Sequence, residues 1–554
     1  MRQRTPHTPA GGLLTQGLLA FGLIFLALWM VHLPLLRLPY FWDEAGYFVP
    51  AARDILLSGD LIPHTTLSNA HPPLVMLWLA LCWKIAAYSP LVTRTAMLLV
   101  AAFGFTGLWL LARRVASTAV ANATVVLTAL SPTVFSQSAM AHLDIAAFAL
   151  VLWTLYSHIC GRRWQAIAFA ALAAVAKETT VVVTLTLFGA DLIGWMAYRW
   201  RPQVTAKWCL PRRSLAQCAA YLLALLPLIG WYGYHCHRTG HIFGNPDYLR
   251  YNVGATITPL RILLAGVMRF WHSSGYMNLF VLTAAALLLL WNARHPGAPE
   301  ASAQAIAPNI QILLVLVVLA QVAEFAVVGG ALLARYMIPA IPLVILLSVN
   351  VLRMYAPRWK WWIAGCAAAF LLALFLNPPW FISPEDNLTW ASYVRLHQQA
   401  AKYAEKHYAQ DRILTAWPAS DELNRPFLGY VGRPLTVVRI ENFSAEEILR
   451  AQQQPESFDV VVAFSTKFEP QWGLFHRIPG WTNIQTRYFD FHQDLPAATI
   501  ARMLHGRIVW QDSTPGEWIA VIEIDKIRNA NLALPDSPIR SCPGSEILRR
   551  KLKS

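Results

Sequence analysis

A succession of apolar runs fills residues 1–377 and restricts that part of the chain to helices in a membrane. The runs cover 13–36, 73–88, 95–112, 117–139, 145–160, 164–176, 179–198, 214–234, 277–291, 310–328, 336–352 and 361–376. The hydrocarbon core of a bilayer takes roughly 20 apolar residues of helix, and in it only helices and closed barrels satisfy their own backbone groups. Over the 554 residues, 14% are charged and 56% hydrophobic, whereas soluble domains carry roughly a quarter charged residues. The expected architecture is therefore a polytopic α-helical membrane protein.

The net charge of +15 would suit nucleic acid, but its placement argues against that partner. Basic clusters fall between the apolar runs, at Arg113-Arg114, Arg162-Arg163, 199–213 and 353–360, which is the positive-inside pattern. Arg2 and Arg4 form a basic flank before the first run. No small-residue cleavage site follows, so an uncleaved first helix is expected rather than a signal peptide. With a cytoplasmic N-terminus and every run crossing except 73–88, all basic clusters fall inside. The exception begins at Pro72-Pro73 and carries Lys84, as a re-entrant or interfacial helix would. The count is then about 11 crossings. It places Asp43, Asp144, Lys177, Arg335 and the C-terminal domain outside the cytoplasm, in a plasma (inner) membrane protein.

Two long external connections result, 37–73 and 235–276. Residues 260–270 alternate apolar and basic side chains at helical spacing, the pattern of an interfacial amphipathic helix. Past Pro378-Pro379 the apolar runs stop, and 378–554 reads as a soluble α/β domain. An amphipathic helix over 387–408 leads into strands at 413–417, 435–440, 459–464 and 518–524. Ser444-Ala445-Glu446-Glu447 is a capping box opening a helix between two of them. No Gly-rich phosphate loop accompanies a strand, so nucleotide binding is not expected. Of seven cysteines only Cys542 lies in this domain, which excludes a disulfide within it, and no zinc spacing occurs.

The chemistry is concentrated where charge interrupts the apolar pattern. Phe41-Trp42-Asp43-Glu44-Ala45-Gly46-Tyr47 follows the first run, His142-Leu143-Asp144 and Lys177-Glu178 separate later ones, and Arg335-Tyr336 does so near the end. Ionisable groups at membrane depth are functional candidates. Each has a plain structural alternative: Asp144 as a helix cap, Lys177 pairing with Glu178 or snorkelling to the interface, Arg335 anchoring a helix end. Unrelated caps would seldom fall at one depth on one side, however. Two cations beside carboxylates at a lipid boundary suit sugar transfer from a polyprenyl phosphate. Lys177 and Arg335 would stabilise the negative charge that grows on the leaving phosphate. A carboxylate would take the proton of an incoming hydroxyl; an acceptor phosphate would need only to be oriented.

These residues also resemble a family. Trp42-Asp43-Glu44-x-x-Tyr47, then 52–60 (Ala-Arg-Asp-Ile-Leu-Leu-Ser-Gly-Asp) and His71-Pro72-Pro73-Leu74, is similar to the first loop of C-type (GT-C) glycosyltransferases of the protein O-mannosyltransferase and aminoarabinose transferase group. Leu143-Asp144 resembles their second-loop aspartate, Lys177 their phosphate-contacting lysine, and Arg335-Tyr336-x-x-Pro339 their late Arg/Lys-Tyr motif. The resemblance spans roughly 10–377 and implies a polyprenyl-phosphate-sugar donor, an inverting displacement and a lipid-tail groove between helices. On that reading Asp43, Glu44 and Asp144 are the catalytic candidates. Lys177, Arg335, Tyr336 and His71 would hold the donor phosphate, and Tyr47, His142 and Glu178 are further substrate contacts. The family's Thr-Lys-Gly is Ala176-Lys177-Glu178 here, which sets Glu178 beside Lys177 to neutralise it. The acceptor is a lipid, a glycan or a protein; no cofactor or metal ligand set is expected, although metal binding varies among such enzymes. The competing readings are a transporter or flippase of a lipid-linked sugar, which would show internal repeats not found here, and a binding module on a membrane anchor.

Overall fold

The helix Leu143–Ile159 runs through the middle of the membrane part, with every residue from 143 to 158 except Trp153 buried. It packs between Pro90–Val115 and Arg163–Ala176. Gly104 allows this close approach, because a Cβ there would meet the Phe148 ring at 2.5 Å and the Ala149 Cα at 2.8 Å. Pro90–Val115 and the helix after it, Thr118–Leu130, start on serine caps: Ser89 accepts from the Val92 N–H and Ser117 from that of Val120. The structure is a computed structural model that describes residues 10–200, 214–254, 256–294, 305–468, 477–489 and 491–525. Arg2 and Arg4, the basic stretch 201–213 and Cys542 lie outside the described residues.

Outer helices turn large apolar side chains away from the protein, among them Leu18, Leu23, Ile193, Leu287 and Leu288. Surfaces of that kind belong against lipid, and the chain is a multi-pass membrane protein. Among the described residues five helices are long and apolar enough to cross: Thr15–His32, Pro90–Val115, Glu178–Trp200, Leu215–Thr239 and Pro308–Val327. Two bent pairs, Thr118–Leu130 with Pro132–Ser138 and Pro259–Ser274 with Leu279–Asn292, raise the number to seven, and five shorter apolar helices accompany them. One of these, Leu74–Ala86, has 13 residues and is about 20 Å long, short of the ~30 Å hydrocarbon core.

Both long connections are more helical than the sequence suggests. The first contains a π-helical turn, Glu44–Phe48, and the helix Val49–Ser58. The second opens only at Gly240, because Leu226–Thr239 carries the His235-Cys236-His237 stretch as helix. Within it lies the amphipathic helix Pro259–Ser274. Arg261 and Arg269 are buried, while Leu263, Val267 and Phe270 are exposed. Arg261 donates to the Gly329 and Gly330 carbonyls, and Arg269 to those of Ala331 and Leu333. The guanidinium groups thus satisfy four carbonyls of a non-helical stretch.

The C-terminal domain is a five-stranded mixed sheet of order β2-β1-β3-β5-β4, with β1 Arg412–Ala416, β2 Thr436–Ile440, β3 Val460–Phe464, β4 Gly506–Thr514 and β5 Glu517–Ile524. β1 runs parallel to β2 and β3, and β5 antiparallel to β3 and β4. β3 is central and buried throughout, as its Val-Val-Val-Ala-Phe sequence requires. β4 went unrecognised in the sequence. It closes a hairpin at Pro515-Gly516, where Gly516 takes φ 86°. The helix Thr389–His407 lies against β4 and β5. Ala445–Gln452 begins where expected, but Ser444 makes no side-chain cap bond. Glu447 accepts instead from the Glu441 N–H. The domain sits on the first loop: Tyr430 Oη donates to the Tyr40 carbonyl at 2.9 Å, and Tyr88 Oη to that of Phe427 at 2.7 Å.

Candidate active site

Trp42 has a left-handed backbone (φ 43°) and the π-helical turn follows at once, so the adjacent acids Asp43 and Glu44 face different ways. Glu44 turns inward and is wholly buried. It accepts from the Ala141 N–H at 2.7 Å, the Phe41 N–H at 3.0 Å and the Arg94 guanidinium at 3.3 Å. Asp43 turns toward a cavity, keeps 38% of its side chain exposed and pairs with Arg335 Nη2.

Arg335 lies on the short 3-10 turn Ala334–Met337 and is surrounded by acids. Besides Asp43, its Nη1 donates to Glu385 Oε2 at 2.7 Å and its Nε lies 3.6 Å from Asp144 Oδ2. Asp144, in the first turn of Leu143–Ile159, also accepts from Lys177 Nζ at 2.5 Å. Lys177 caps Arg163–Ala176 in an extended conformation (φ −152°), which turns its side chain off the helix. Its ammonium stands 4.4 Å from the centre of the Tyr336 ring, which stacks on Phe325. The structure redirects Glu178: its carboxylate lies 3.1 Å from His71 Nδ1, and Asp144 is the partner of Lys177.

One cavity of about 1030 Å³ is lined by all the candidates read from the sequence except Glu44 and His142. Glu44 is behind its wall, bound to Arg94. His142 is buried beside Arg335, with Nδ1 2.7 Å from Gln137 Oε1 and 3.1 Å from Arg335 Nη1. Residues that sequence reading missed complete the lining. Glu324 reaches it from Pro308–Val327 with Oε2 buried and unbonded. Trp417, Lys467 and Trp481 roof it from the soluble domain, and Glu385 enters from the segment between bundle and sheet. Burial pushes the Glu385 carboxyl up to about 8, with Arg335 drawing it back and Asp386, Asp43 and Asp144 adding to the rise. Asp386, buried and bonded by the Tyr276 hydroxyl at 2.7 Å, is raised to about 7. Among the described residues no three or more His, Cys, Asp or Glu side chains gather as a metal site. The cavity therefore combines two cations suited to an anionic group with a partly exposed carboxylate, in a volume suited to a substantial ligand.

The helical bundle and the sheet packed on it form a fold that has neighbours among solved structures. Two crystal structures of ArnT from Cupriavidus metallidurans share it. The one bound to undecaprenyl phosphate has a TM-score of 0.50 and the apo form 0.51, each at 14% identity over 95% of this chain and 100% of the other. The oligosaccharyltransferase AglB from Archaeoglobus fulgidus, in complex with an inhibitory peptide and a dolichol-phosphate, overlaps more weakly. Its TM-score is 0.43 at 11% identity over 81% of this chain and 69% of that one. No protein-family model and no curated protein sequence matches the chain.

Proposed function

We propose that this chain is an integral membrane glycosyltransferase that moves a sugar from a polyprenyl-phosphate donor to an envelope acceptor, whether lipid, glycan or protein. The observation that carries this reading is the meeting of Asp43, Asp144, Lys177 and Arg335, far apart in sequence, on one cavity. Undecaprenyl phosphate in the ArnT structure of the same fold supports a lipid-phosphate ligand.

The donor's phosphate would lie against Lys177 and Arg335, with Tyr336 and His71 beside them and its tail among the helices. The acceptor oxygen attacks the anomeric carbon from the face opposite the phosphate. Its proton passes to Asp43 as the new C–O bond forms. The anomeric C–O bond breaks with its electron pair going to the phosphate, so polyprenyl phosphate leaves and the configuration inverts. The two cations stabilise the charge arriving on that phosphate. Asp144 holds Lys177 and Arg335 in place, and Glu44 acts from behind by fixing the loop. The topology that goes with this reading has about 11 crossings of the plasma (inner) membrane, a cytoplasmic N-terminus and an external cavity and C-terminal domain.

The test uses purified protein in nanodiscs with polyprenyl-phosphate sugars and envelope extracts as acceptors. Asp43→Asn is expected to abolish transfer while inserting and folding normally. Transfer near the wild-type rate in that variant removes Asp43 from the mechanism. Movement of the lipid-linked sugar across the bilayer without turnover favours a flippase.

A further inference from the structure

Arg335 meets three carboxylates at the cavity, two by hydrogen bonds and one at longer range. Nη1 is held by Glu385, Nη2 by Asp43, and Nε faces Asp144. A phosphate drawn to this guanidinium competes with those carboxylates, and the three are not equally replaceable. The side chains of Asp144 and Glu385 are each 5% exposed, and the Asp144 carboxylate, moved off its cation, would stay buried and unpaired. Asp144 is also tied to Lys177 at 2.5 Å. The chain carrying Glu385 is anchored on both sides: Gln137 Nε2 donates to its carbonyl, and the neighbouring Asp386 is bonded by Tyr276. Asp43 differs. Its side chain is 38% exposed, lines the cavity, and bonds Arg335 alone among the described residues.

We propose that Arg335 masks Asp43 in the empty site, and that the donor's phosphate takes over Nη2 and releases Asp43 to serve as the base. This rests on the transferase reading above and adds a control to it. While Nη2 holds its oxygen, the Asp43 carboxylate is turned onto Arg335 and not onto an incoming hydroxyl. Once released, that oxygen can accept the hydroxyl's hydrogen bond and then its proton. The base is then available only once the donor is seated, which makes binding ordered, donor before acceptor.

The experiment measures the affinity of full-length protein in nanodiscs for a polyprenyl phosphodiester, a probe whose single charge does not titrate near neutrality. Asp43→Asn removes the competitor for Arg335 and is expected to bind about fivefold more tightly than wild type, a partly exposed pair being discounted from the buried case. Asp43→Ala, which cannot hydrogen-bond, is expected to move the same way. Equal or weaker binding in the folded variants overturns the masking. If neither variant folds, infrared difference spectra of the wild type decide: adding the probe should shift a carboxylate band away from its ion-paired position, and no shift overturns the proposal. A wild type that does not bind the probe removes the transferase reading itself, a distinct result.

Discussion

Glu44 and Arg94 form an ion pair in which neither side chain is exposed, with Oε2 and Nη2 3.3 Å apart. Arg94 also donates to the Pro39 carbonyl at 2.7 Å and to that of Ala139 at 3.3 Å, so the pair joins the entry of the first loop to the turn ahead of Asp144. Asp43 and Asp144 owe their spacing to this joint. Removing one partner strands a charge in the interior, which costs about 3–5 kcal/mol. Glu44→Ala and Arg94→Ala are each expected to lower the thermal midpoint in detergent, and the double variant to recover part of the loss. Single variants as stable as wild type would mean that the joint does not hold the loop.

Stability should also depend on pH through the junction of bundle and sheet. In the unfolded chain Glu385 and Asp386 lose their protons near 4.5 and 3.8, whereas burial in the folded protein raises them to about 8 and about 7. Between those limits the folded state holds more protons than the unfolded one. Stability therefore falls as pH rises through that window and levels off above it. The groups facing Glu385 do not reverse the sign: Arg335 opposes the rise, and Asp43, Asp144 and Asp386 reinforce it. Thermal midpoints should be higher at the acid end than at the alkaline end, and Glu385→Gln or Asp386→Asn should flatten the slope. A wild-type midpoint that does not move across the window contradicts the account.

The clustering of Asp43, Asp144, Lys177 and Arg335 was legible because each interrupts an apolar run, where a charge needs a reason. Glu385 was not, because it follows the last run in a polar stretch where an acid attracts no notice. Adjacency misled at Glu44: a residue beside Asp43 was taken to share its role, and only the π-helical turn separates them. In the sheet, β1, β2, β3 and β5 were read to within a residue of their ends. The edge strand β4, with Gln511, Asp512 and Ser513 exposed, lacks the apolar alternation that marks a strand.

Lys177 offers a test of charge placement. Its ammonium lies between Asp144 and the face of Tyr336, so substitution removes a cation from the cavity without opening a large void. Loss of one donor aimed at developing charge typically lowers turnover by about 10²–10³-fold, and Lys177→Met is expected to fall in that range. Lys177→Arg should not restore it, since a planar fork cannot replace a point charge held over a ring. Initial rates in nanodiscs decide; a Lys177→Met enzyme within a few-fold of wild type excludes the lysine from transition-state stabilisation.

The fit between the first loop and the soluble domain turns on Gly46 and Trp417. A Cβ on Gly46 would fall 2.7 Å from Trp417 Nε1 and 2.8 Å from Cζ2, and the same indole meets Trp42 edge-on with ring centres 5.2 Å apart. Trp417 follows β1 and lines the same cavity as Asp43, so a displaced indole changes that lining. Gly46→Ala forces that displacement, and overpacking of this kind costs about 1–3 kcal/mol. The variant is expected to lose stability and transfer together. Added to Trp417→Ala, which removes the obstructing ring, Gly46→Ala should cost little more. A double-mutant cycle on thermal midpoints isolates the coupling. If Gly46→Ala is equally harmful with and without the indole, its damage lies in the π-helical turn itself, and the domain contact does not set the position of Asp43.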